Sequence, residues 1–273
     1  MRKSTAILSA VLALFGSTAL SAQKLTLVEL NIRSFETVKN GSTQHLIVDD
    51  ISDYVTLFKS ANPDIIFLNE FETGTSRIGR ENMSHLASYL DMFAYYIASY
   101  PLDIGHYGNA ILSKYPIINC GSTPLEYVHV SGEGCYILNG SPYVEIYGTD
   151  RRSIGYADIL VPDGKGGSTV IRVCCTHLEG REKQANELIE FCSIKNPVYP
   201  TILAGDINAT RGSACVNLLE GAGEFLGGDY IDLFFGYPKN KWEVLEDSII
   251  PTTIASGDML SDHQAMKVVV KLK

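Results

Sequence analysis

The sequence has no excess of positive charge, and this argues against one class of function. It carries 22 Lys and Arg against 31 Asp and Glu, a formal net charge of −9. Without residues 1–22, 20 basic side chains face 31 acidic ones, and the net charge is −11. Long-range attraction to a polyanion is therefore absent, which disfavours a nuclease that grips duplex DNA by charge unless a local basic patch overrides it.

The sequence also lacks the cysteine spacing of a structural metal site. None of its six cysteines forms a CxxC pair, which is typical of zinc sites. Cys120 and Cys135 flank a glycine-rich, loop-like stretch and are the best disulfide candidates in an exported protein. Cys174 and Cys175 point to opposite faces of a strand, so at least one is expected to be a buried free thiol.

Internal repeats, low-complexity linkers and an obvious domain boundary are absent, so we expect one domain over residues 23–273. Residues 1–22 have Arg2 and Lys3, a short apolar stretch and then small residues, the layout of a secretory signal peptide. The apolar stretch is too short to span a bilayer comfortably, which favours cleavage over anchoring. We expect a periplasmic or secreted monomer with no membrane span after processing.

Hydrophobic periodicity alternates between the strand and helix patterns. Strands are predicted at 24–32, 65–70, 92–99, 108–113, 154–161, 168–177, 201–206 and 266–273, and helices at 44–60, 80–90, 181–195 and 212–219. Residues 118–150 predict a long loop or irregular hairpins. The pattern indicates a mixed α/β domain with two strand-rich halves.

Four apolar runs stop on a polar residue that can bind metal or phosphate. These residues are Asn31, Glu70 (after Asn69), His177 and Asp206, with Asn208 two positions further on and Ser261-Asp262-His263 before the last apolar run. Ligands of α/β sheets tend to bind beyond the strand ends. An oxygen-rich cluster with histidines suits a hard cation and acid–base chemistry on a phosphate ester.

Six segments taken together resemble the endonuclease/exonuclease/phosphatase superfamily, which includes deoxyribonuclease I. They are ELNIRSF, FLNEFE, HYGNAILSKYPI, CCTHLE, LAGDINAT and LSDHQAM, in the family's order over residues 25–272. The resemblance implies an α/β (α+β) fold, a deoxyribonuclease I-like four-layer sandwich of two packed mixed β-sheets flanked by helices. It also implies hydrolysis of phosphate esters with Mg²⁺, or with Mn²⁺ or Ca²⁺ as alternatives.

The resemblance assigns Asn31, Glu70 and Asp262 to the metal ion, in keeping with the hard oxygen ligands that Mg²⁺ prefers. Asp206 and Asn208 match the family's GDxN pair. Residues two apart on an extended segment face the same way, so both can address one phosphate. Asp206 would orient or deprotonate the attacking water, and Asn208 would donate hydrogen bonds to the phosphoryl oxygens.

Two histidines match family positions. His263 would act as general base or stabilise the phosphoryl oxygens, and His177 would protonate the leaving oxygen or hydrogen-bond to the phosphate. The family orients the first histidine with an Asp some twenty residues upstream. Here that stretch reads KWEVLE, so Glu243 is the nearest substitute by position.

Three further residues match with less weight. Tyr107 and Asn109 align with a loop that approaches the substrate phosphate, although Asn109 could equally satisfy backbone groups. Arg152 would support His177 or Glu70, or would be a surface arginine.

The sequence leaves the substrate open between a small molecule, a lipid head group and a nucleic acid, because loops set specificity in this fold. The competing hypothesis is a catalytically inactive binding protein on the same fold.

Overall fold

The computed structural model describes residues 24–40, 45–47, 50–78, 81–126, 130–138, 141–148 and 151–273, with backbone alone at 45–47, 130–138 and 141–148. The expected signal peptide, residues 1–22, lies outside the described residues. Among the described helices, none is both long and apolar enough to cross a membrane.

Two six-stranded sheets form the centre of the molecule. The first has the order β15 (Trp242–Ile250), β16 (Ala265–Leu272), β1 (Lys24–Asn31), β4 (Ile65–Thr73), β6 (Gly105–Ser113) and β5 (Phe93–Leu102). The second has the order β13 (Glu224–Asp229), β14 (Asp232–Tyr237), β12 (Thr201–Asp206), β11 (Ser168–Thr176), β10 (Ser153–Pro162) and β7 (Ile117–Pro124).

Smaller elements surround these sheets. Two separate hairpin-like pairs are β2 (Glu36–Val38) with β3 (His45–Ile47), and β8 (Val130–Leu138) with β9 (Ser141–Gly148). The helices are α1 (Ser52–Ala61), α2 (Asn82–Leu90), α3 (Glu182–Phe191) and α4 (Ala214–Ala222).

Three hydrophobic clusters lie between the four layers of the molecule, which are the two sheets and a layer of helices on the outer face of each. Strand residues alternate between faces, so Phe67 of β4 packs between the two sheets while its neighbour Ile66 faces α1 and α2. On the second sheet, Cys175 of β11 joins the core between the sheets and Cys174 faces α3 and α4. This confirms the predicted four-layer sandwich of two mixed sheets flanked by helices.

The adjacent cysteines behave as predicted, because Cys174 and Cys175 are both buried and free. Cys120 is instead an exposed free thiol in the edge strand β7. Cys135 lies in β8 of a separate sheet, and its side chain lies outside the described ones. The expected Cys120–Cys135 disulfide assumed a loop between two flanking cysteines, whereas both positions lie within strands.

Several boundaries differ from the sequence prediction. The helix expected over 44–60 begins at Ser52, and 45–47 form β3. The expected loop at 118–150 contains β7, β8 and β9. The strands β13, β14 and β15 were not predicted, because glycines interrupt the first and β15 is an edge strand whose middle is exposed.

Each sheet contains one central parallel pair, and these pairs position the site. β1 runs parallel to β4 with Asn31 opposite Asn69, and β11 runs parallel to β12. Because parallel neighbours end at the same edge of a sheet, the predicted polar residues that follow these four strands gather at one end of the sandwich.

Candidate active site

Asn31 joins the two sheets at that end. Its side-chain amide donates to Glu70 Oε1 at 2.9 Å and to Asp206 Oδ2 at 3.1 Å. Its amide oxygen accepts from the backbone N–H of Arg33 at 3.0 Å. Residues from β1, β4 and β12 therefore meet through one buried side chain, although 175 residues separate Asn31 from Asp206.

The backbone is strained where two of these residues enter the site. Glu70 and Asn208 both have a φ of 52°, in the left-handed region that costs a non-glycine residue about 1–3 kcal/mol. The pairing of β4 with β6 shifts register between Leu68 and Phe71, so Glu70 lies in a β-bulge. A bulge re-aims a side chain, and this one turns Glu70 out of the strand's alternation towards Asn31.

Asn69, given no role from the sequence, fixes Asp206 from across the sandwich. Its amide nitrogen donates to Asn109 Oδ1 at 2.8 Å and to the carbonyl of Thr176 at 2.9 Å, and its oxygen accepts from the backbone N–H of Asp206 at 2.7 Å. Asn109 in turn donates to Ser153. Two roles were predicted for Asn109, contact with the substrate phosphate or satisfaction of interior polar groups. Its buried contacts support the second.

His263 contacts a carboxylate that sequence reasoning missed. Asp232 Oδ2 lies 2.7 Å from His263 Nδ1, which leaves Nε2 turned towards Asp206 Oδ2 at 3.8 Å. Burial opposes a charged ring, but the hydrogen bond and charge of Asp232, followed by the charges of Asp206 and Glu70, raise the pKa of His263 above its ordinary value.

The expectation that Glu243 orients His263 is therefore wrong. Glu243 pairs with Lys271 in the ladder of β15 and β16, whereas His263 precedes the opposite end of β16. Lys271 and Ala265 lie six positions apart along this strand, about 20 Å. The orienting aspartate was present in the sequence, in the segment IDLFF. It was missed because Asp232 lies 31 residues before His263 rather than about twenty.

His177 is held between two polar neighbours. Arg152 Nη1 lies 2.9 Å from its Nδ1, and the Asn208 amide nitrogen lies 2.9 Å from its Nε2. An arginine can only donate, so Nδ1 accepts and the ring proton lies on Nε2, 3.4 Å from Asp206 Oδ2. The Asn208 amide nitrogen is also a donor, so it makes no hydrogen bond to Nε2 in this tautomer and donates instead to the carbonyl of Leu178 at 2.8 Å. Burial, with the charges of Arg152 and His263, lowers the pKa of His177 well below its usual value. A neutral His177 suits hydrogen-bond donation better than proton transfer.

Asp206 lies at the centre of these contacts and is 2% exposed. Burial is the main cause that raises its pKa to about 6, and the charge of Asp232 adds to this, while His263, Asn31 and the backbone of Asn208 act in the opposite direction. A carboxylate with a pKa near neutrality can both take up and release a proton under physiological conditions.

A second acid lies beneath the site. Glu29 is fully buried in β1, and neither of its carboxyl oxygens has a hydrogen-bond partner among the described residues. Burial, followed by the charges of Asp232 and Asp206, raises its pKa well above the ordinary value. The surroundings of Glu29 therefore favour its neutral, protonated form.

Asp262 and Tyr107 lie on the open side of the site. Both line a cavity of about 730 Å³ that also includes Glu70. The exposed carboxylate of Asp262 forms an ion pair with Arg33, a contact that the sequence did not predict. Arg33 belongs to a short turn after Asn31 in which three consecutive residues have positive φ.

The donor atoms fit a divalent cation. Ligand atoms of Asp206, Asp232 and His263 lie within 4.8 Å of one another. Asp232 Oδ1 is buried with no hydrogen-bond partner among the described groups. Glu70, joined to Asp206 through the amide of Asn31, adds a third carboxylate beside this group. Carboxylate oxygens are the ligands that Mg²⁺ and Mn²⁺ prefer.

The sequence of this chain matches one family model over residues 30–263, that of the Endonuclease/Exonuclease/phosphatase family. The protein belongs to this family. The predicted resemblance is therefore confirmed, and the match covers the strand-end residues from Asn31 to His263. No curated protein matches the chain significantly.

Solved structures of low sequence identity share this fold. The endonuclease/exonuclease/phosphatase from Bacteroides vulgatus has a TM-score of 0.64 at 16% identity, covering 92% of this chain and 100% of that one. The human nocturnin catalytic domain with bound sulfate has a TM-score of 0.58 at 15% identity, covering 92% and 95%. ANGEL2, a 2′,3′-cyclic phosphatase in complex with adenosine-2′,3′-vanadate, has a TM-score of 0.64 at 11% identity, covering 92% and 96%.

Proposed function

We propose that this endonuclease/exonuclease/phosphatase family member is an exported, divalent-metal-dependent hydrolase of phosphate esters that works by in-line attack of water. The carrying observation is the position of Asp206 Oδ2, which lies 3.1 Å from Asn31, 3.4 Å from His177 Nε2 and 3.8 Å from His263 Nε2. A reacting phosphate in front of this oxygen would contact groups from both sheets at once.

Glu70 and Asn31 would hold the cation, with Asp262 on the same cavity wall. A Mg²⁺ ion held there would stabilise the negative charge that develops on the phosphoryl group. The pairing of Asp262 with Arg33 makes Asp262 the weakest of the three ligands, because this carboxylate would have to leave a guanidinium first.

Asp206 would orient the attacking water and accept its proton. Its pKa of about 6 leaves it mostly ionised at neutral pH yet able to bind a proton. His263, held by Asp232, would carry positive charge towards the phosphoryl oxygens. This role follows from the raised pKa of His263.

His177 and Asn208 would donate hydrogen bonds to the phosphoryl oxygens. The neutral ring of His177 offers Nε2–H, and Arg152 holds the ring in that tautomer. Donors fixed in advance of the reaction stabilise charge without reorganising. The only hint of an inactive binding protein was the altered KWEVLE segment, and Asp232 supplies the orienting carboxylate that this segment was expected to provide.

A panel of phosphate esters tests this function. The mature protein is assayed on p-nitrophenyl phosphate, bis-p-nitrophenyl phosphate and plasmid DNA, with Mg²⁺, with Mn²⁺ and with excess chelator. We expect metal-dependent hydrolysis of at least one of them, lost on chelation and restored by added metal. Equal turnover with and without chelator would contradict the metal dependence.

Export is proposed on residues 1–22 alone. N-terminal sequencing of the protein recovered from the medium or periplasm of a bacterial host should begin between residues 22 and 24. Recovery of the uncleaved chain from the cytoplasm would contradict export.

A further inference from the structure

A buried ion pair lies on the Nδ1 side of the His177 ring. Arg152, whose Nη1 lies 2.9 Å from that nitrogen, has its Nε 3.9 Å from Oε1 of Glu179. The side chains of Arg152 and Glu179 are only 12% and 6% exposed. Because a buried charge without a counter-charge is costly, the position of the guanidinium depends on this carboxylate.

The two facing atoms of the pair make no other contact that would satisfy them. Neither Arg152 Nε nor Glu179 Oε1 has a hydrogen-bond partner among the described residues, although both atoms are shielded from solvent. Buried polar atoms are normally paired, and leaving them without a partner is unfavourable. The attraction between these two atoms is therefore not shared with a competing group.

The turn that follows His177 fixes Glu179 in place. The backbone N–H of Glu179 donates to the side-chain oxygen of Gln184 at 2.8 Å, and Gln184 Nε2 lies 3.5 Å from Glu179 Oε2. Gln184 is fully buried in the first turn of α3. Gly180 has a φ of 67°, and a Cβ there would lie 2.6 Å from the carbonyl oxygen of Asn208. The carboxylate is thus held between α3 and the Asn208 segment.

These contacts form a chain from α3 to the centre of the site, in the order Gln184, Glu179, Arg152, His177 and Asp206. We propose that Glu179 is a positioning residue, whose charge holds Arg152 against His177 Nδ1 and so keeps the ring proton on Nε2. The proposal rests on the proposed hydrolase function and adds to it a residue that acts through another. Without the charge of Glu179, the guanidinium loses its counter-charge in the interior, and the ring can take either tautomer.

NMR measures the tautomer of His177 directly. Protein labelled with 15N in its histidine rings gives different signals for protonated and unprotonated ring nitrogens, and the spectrum of His177→Gln identifies the signals of His177. The wild type should carry the proton on Nε2 alone, whereas Glu179→Gln should show both tautomers. An unchanged, single tautomer in Glu179→Gln would overturn the proposal.

Kinetics then measure the effect on the reaction. Glu179→Gln should lower kcat roughly 10- to 100-fold, the usual effect of removing a group that orients an active-site histidine. The KM should change little, because the hydrogen bond from His177 strengthens as charge develops on the phosphoryl group. Glu190→Gln is the matched control, since Glu190 is an exposed residue of α3, and it should keep the wild-type rate. Equal losses in the two variants would contradict a specific role of Glu179.

A double variant shows whether Glu179 acts through His177. His177→Gln already removes the ring that Glu179 positions, so adding Glu179→Gln should lower kcat by less than about twofold more. A merely structural role of Glu179 would not depend on the ring. Two losses that multiply would therefore overturn the assignment.

A charge-neutral variant guards against loss of the fold. If Glu179→Gln does not fold, because Arg152 keeps an unbalanced charge, Arg152→Gln/Glu179→Gln removes both charges together. The folded double variant should show both tautomers of His177, and a proton on Nε2 alone would contradict the proposal.

The tautomer measurement also separates this inference from the function on which it rests. If the wild type hydrolyses no phosphate ester, the hydrolase proposal fails, and the spectra of the wild type and of Glu179→Gln still decide whether Glu179 positions the ring. If an ester is hydrolysed but both proteins show the same tautomer, the hydrolase stands and the role of Glu179 is refuted.

Discussion

Asp232 Oδ2 lies 2.7 Å from His263 Nδ1, and this contact joins the first residue of β14 to the loop before β16. A carboxylate in this position fixes the tautomer of the ring and stabilises its protonated form. We therefore expect Asp232→Asn to lower kcat by roughly 10²–10⁴-fold, the usual contribution of a positioned acid–base group.

Glu243→Gln serves as the control for that variant. The sequence had suggested Glu243 as the residue that orients His263, but Glu243 lies about 20 Å from the His263 end of β16. It should keep the wild-type rate. Loss of activity in Glu243→Gln with retention in Asp232→Asn would reverse the assignment.

The rate should depend on pH through Asp206. This carboxylate has a pKa of about 6 in the folded protein, and the ionised form accepts the proton of water. We expect kcat/KM to rise as the pH increases through about 6 and to fall again at higher pH, where His263 loses its proton. Asn31 lowers the pKa of Asp206 by hydrogen bonding, so Asn31→Ala should move that rise to higher pH. A rise that keeps its midpoint in Asn31→Ala would show that another group controls it.

Glu29 should make the stability of the fold fall as the pH rises above the ordinary glutamate pKa of 4.5. Its pKa in the folded protein lies above the ordinary 4.5, so the stability associated with neutral Glu29 is fully present below that value and is lost as pH rises towards the raised pKa. The largest slope from one such group is about 1.4 kcal/mol per pH unit.

Urea denaturation at several pH values measures this effect. Glu29→Gln removes the titrating group, so the difference in unfolding free energy between the variant and the wild type should increase in favour of the variant from pH 5 to pH 8. A difference that stays constant over this range would mean that Glu29 does not titrate abnormally.

Asn69 should contribute to both stability and activity. Asn69→Ala leaves the backbone N–H of Asp206 and the side-chain oxygen of Asn109 without their hydrogen bond to Asn69, and an unsatisfied buried polar group costs about 1–3 kcal/mol. Asn119→Ala removes one hydrogen bond, to Asp158, at an exposed position and should cost under about 0.5 kcal/mol. Thermal unfolding compares the two, and equal losses would argue against Asn69 as the link between the sheets.

The sequence predicted the polar strand ends because apolar runs and their last residues are local features. Asn31, Glu70, His177 and Asp206 follow recognisable buried strands, and the two parallel pairs bring them together. Asp232 was not predicted as a site residue because it begins a strand instead of ending one. In addition, β14 follows a glycine-containing strand whose hydrophobic period is irregular.

The remaining features depend on tertiary contacts. The pairing of Arg33 with Asp262 joins residues 229 positions apart, and no local pattern indicates it. The abnormal environment of Glu29 also comes from the second sheet, since Asp232 and Asp206 lie on β14 and β12. A single acid within the apolar run LTLVEL was the only local trace of that environment.

The most direct test of the central claim compares the activity of Asp206→Asn with that of Asp163→Asn on a phosphate ester whose hydrolysis requires metal, with circular dichroism to verify folding. Asp163 lies in the turn between β10 and β11, where its carboxylate accepts the backbone N–H groups of Lys165 and Gly167. Asp206→Asn should be folded and lose at least about 10²-fold in kcat, while Asp163→Asn keeps the wild-type rate. A folded Asp206→Asn that hydrolyses the ester at the rate of the wild type would contradict the account.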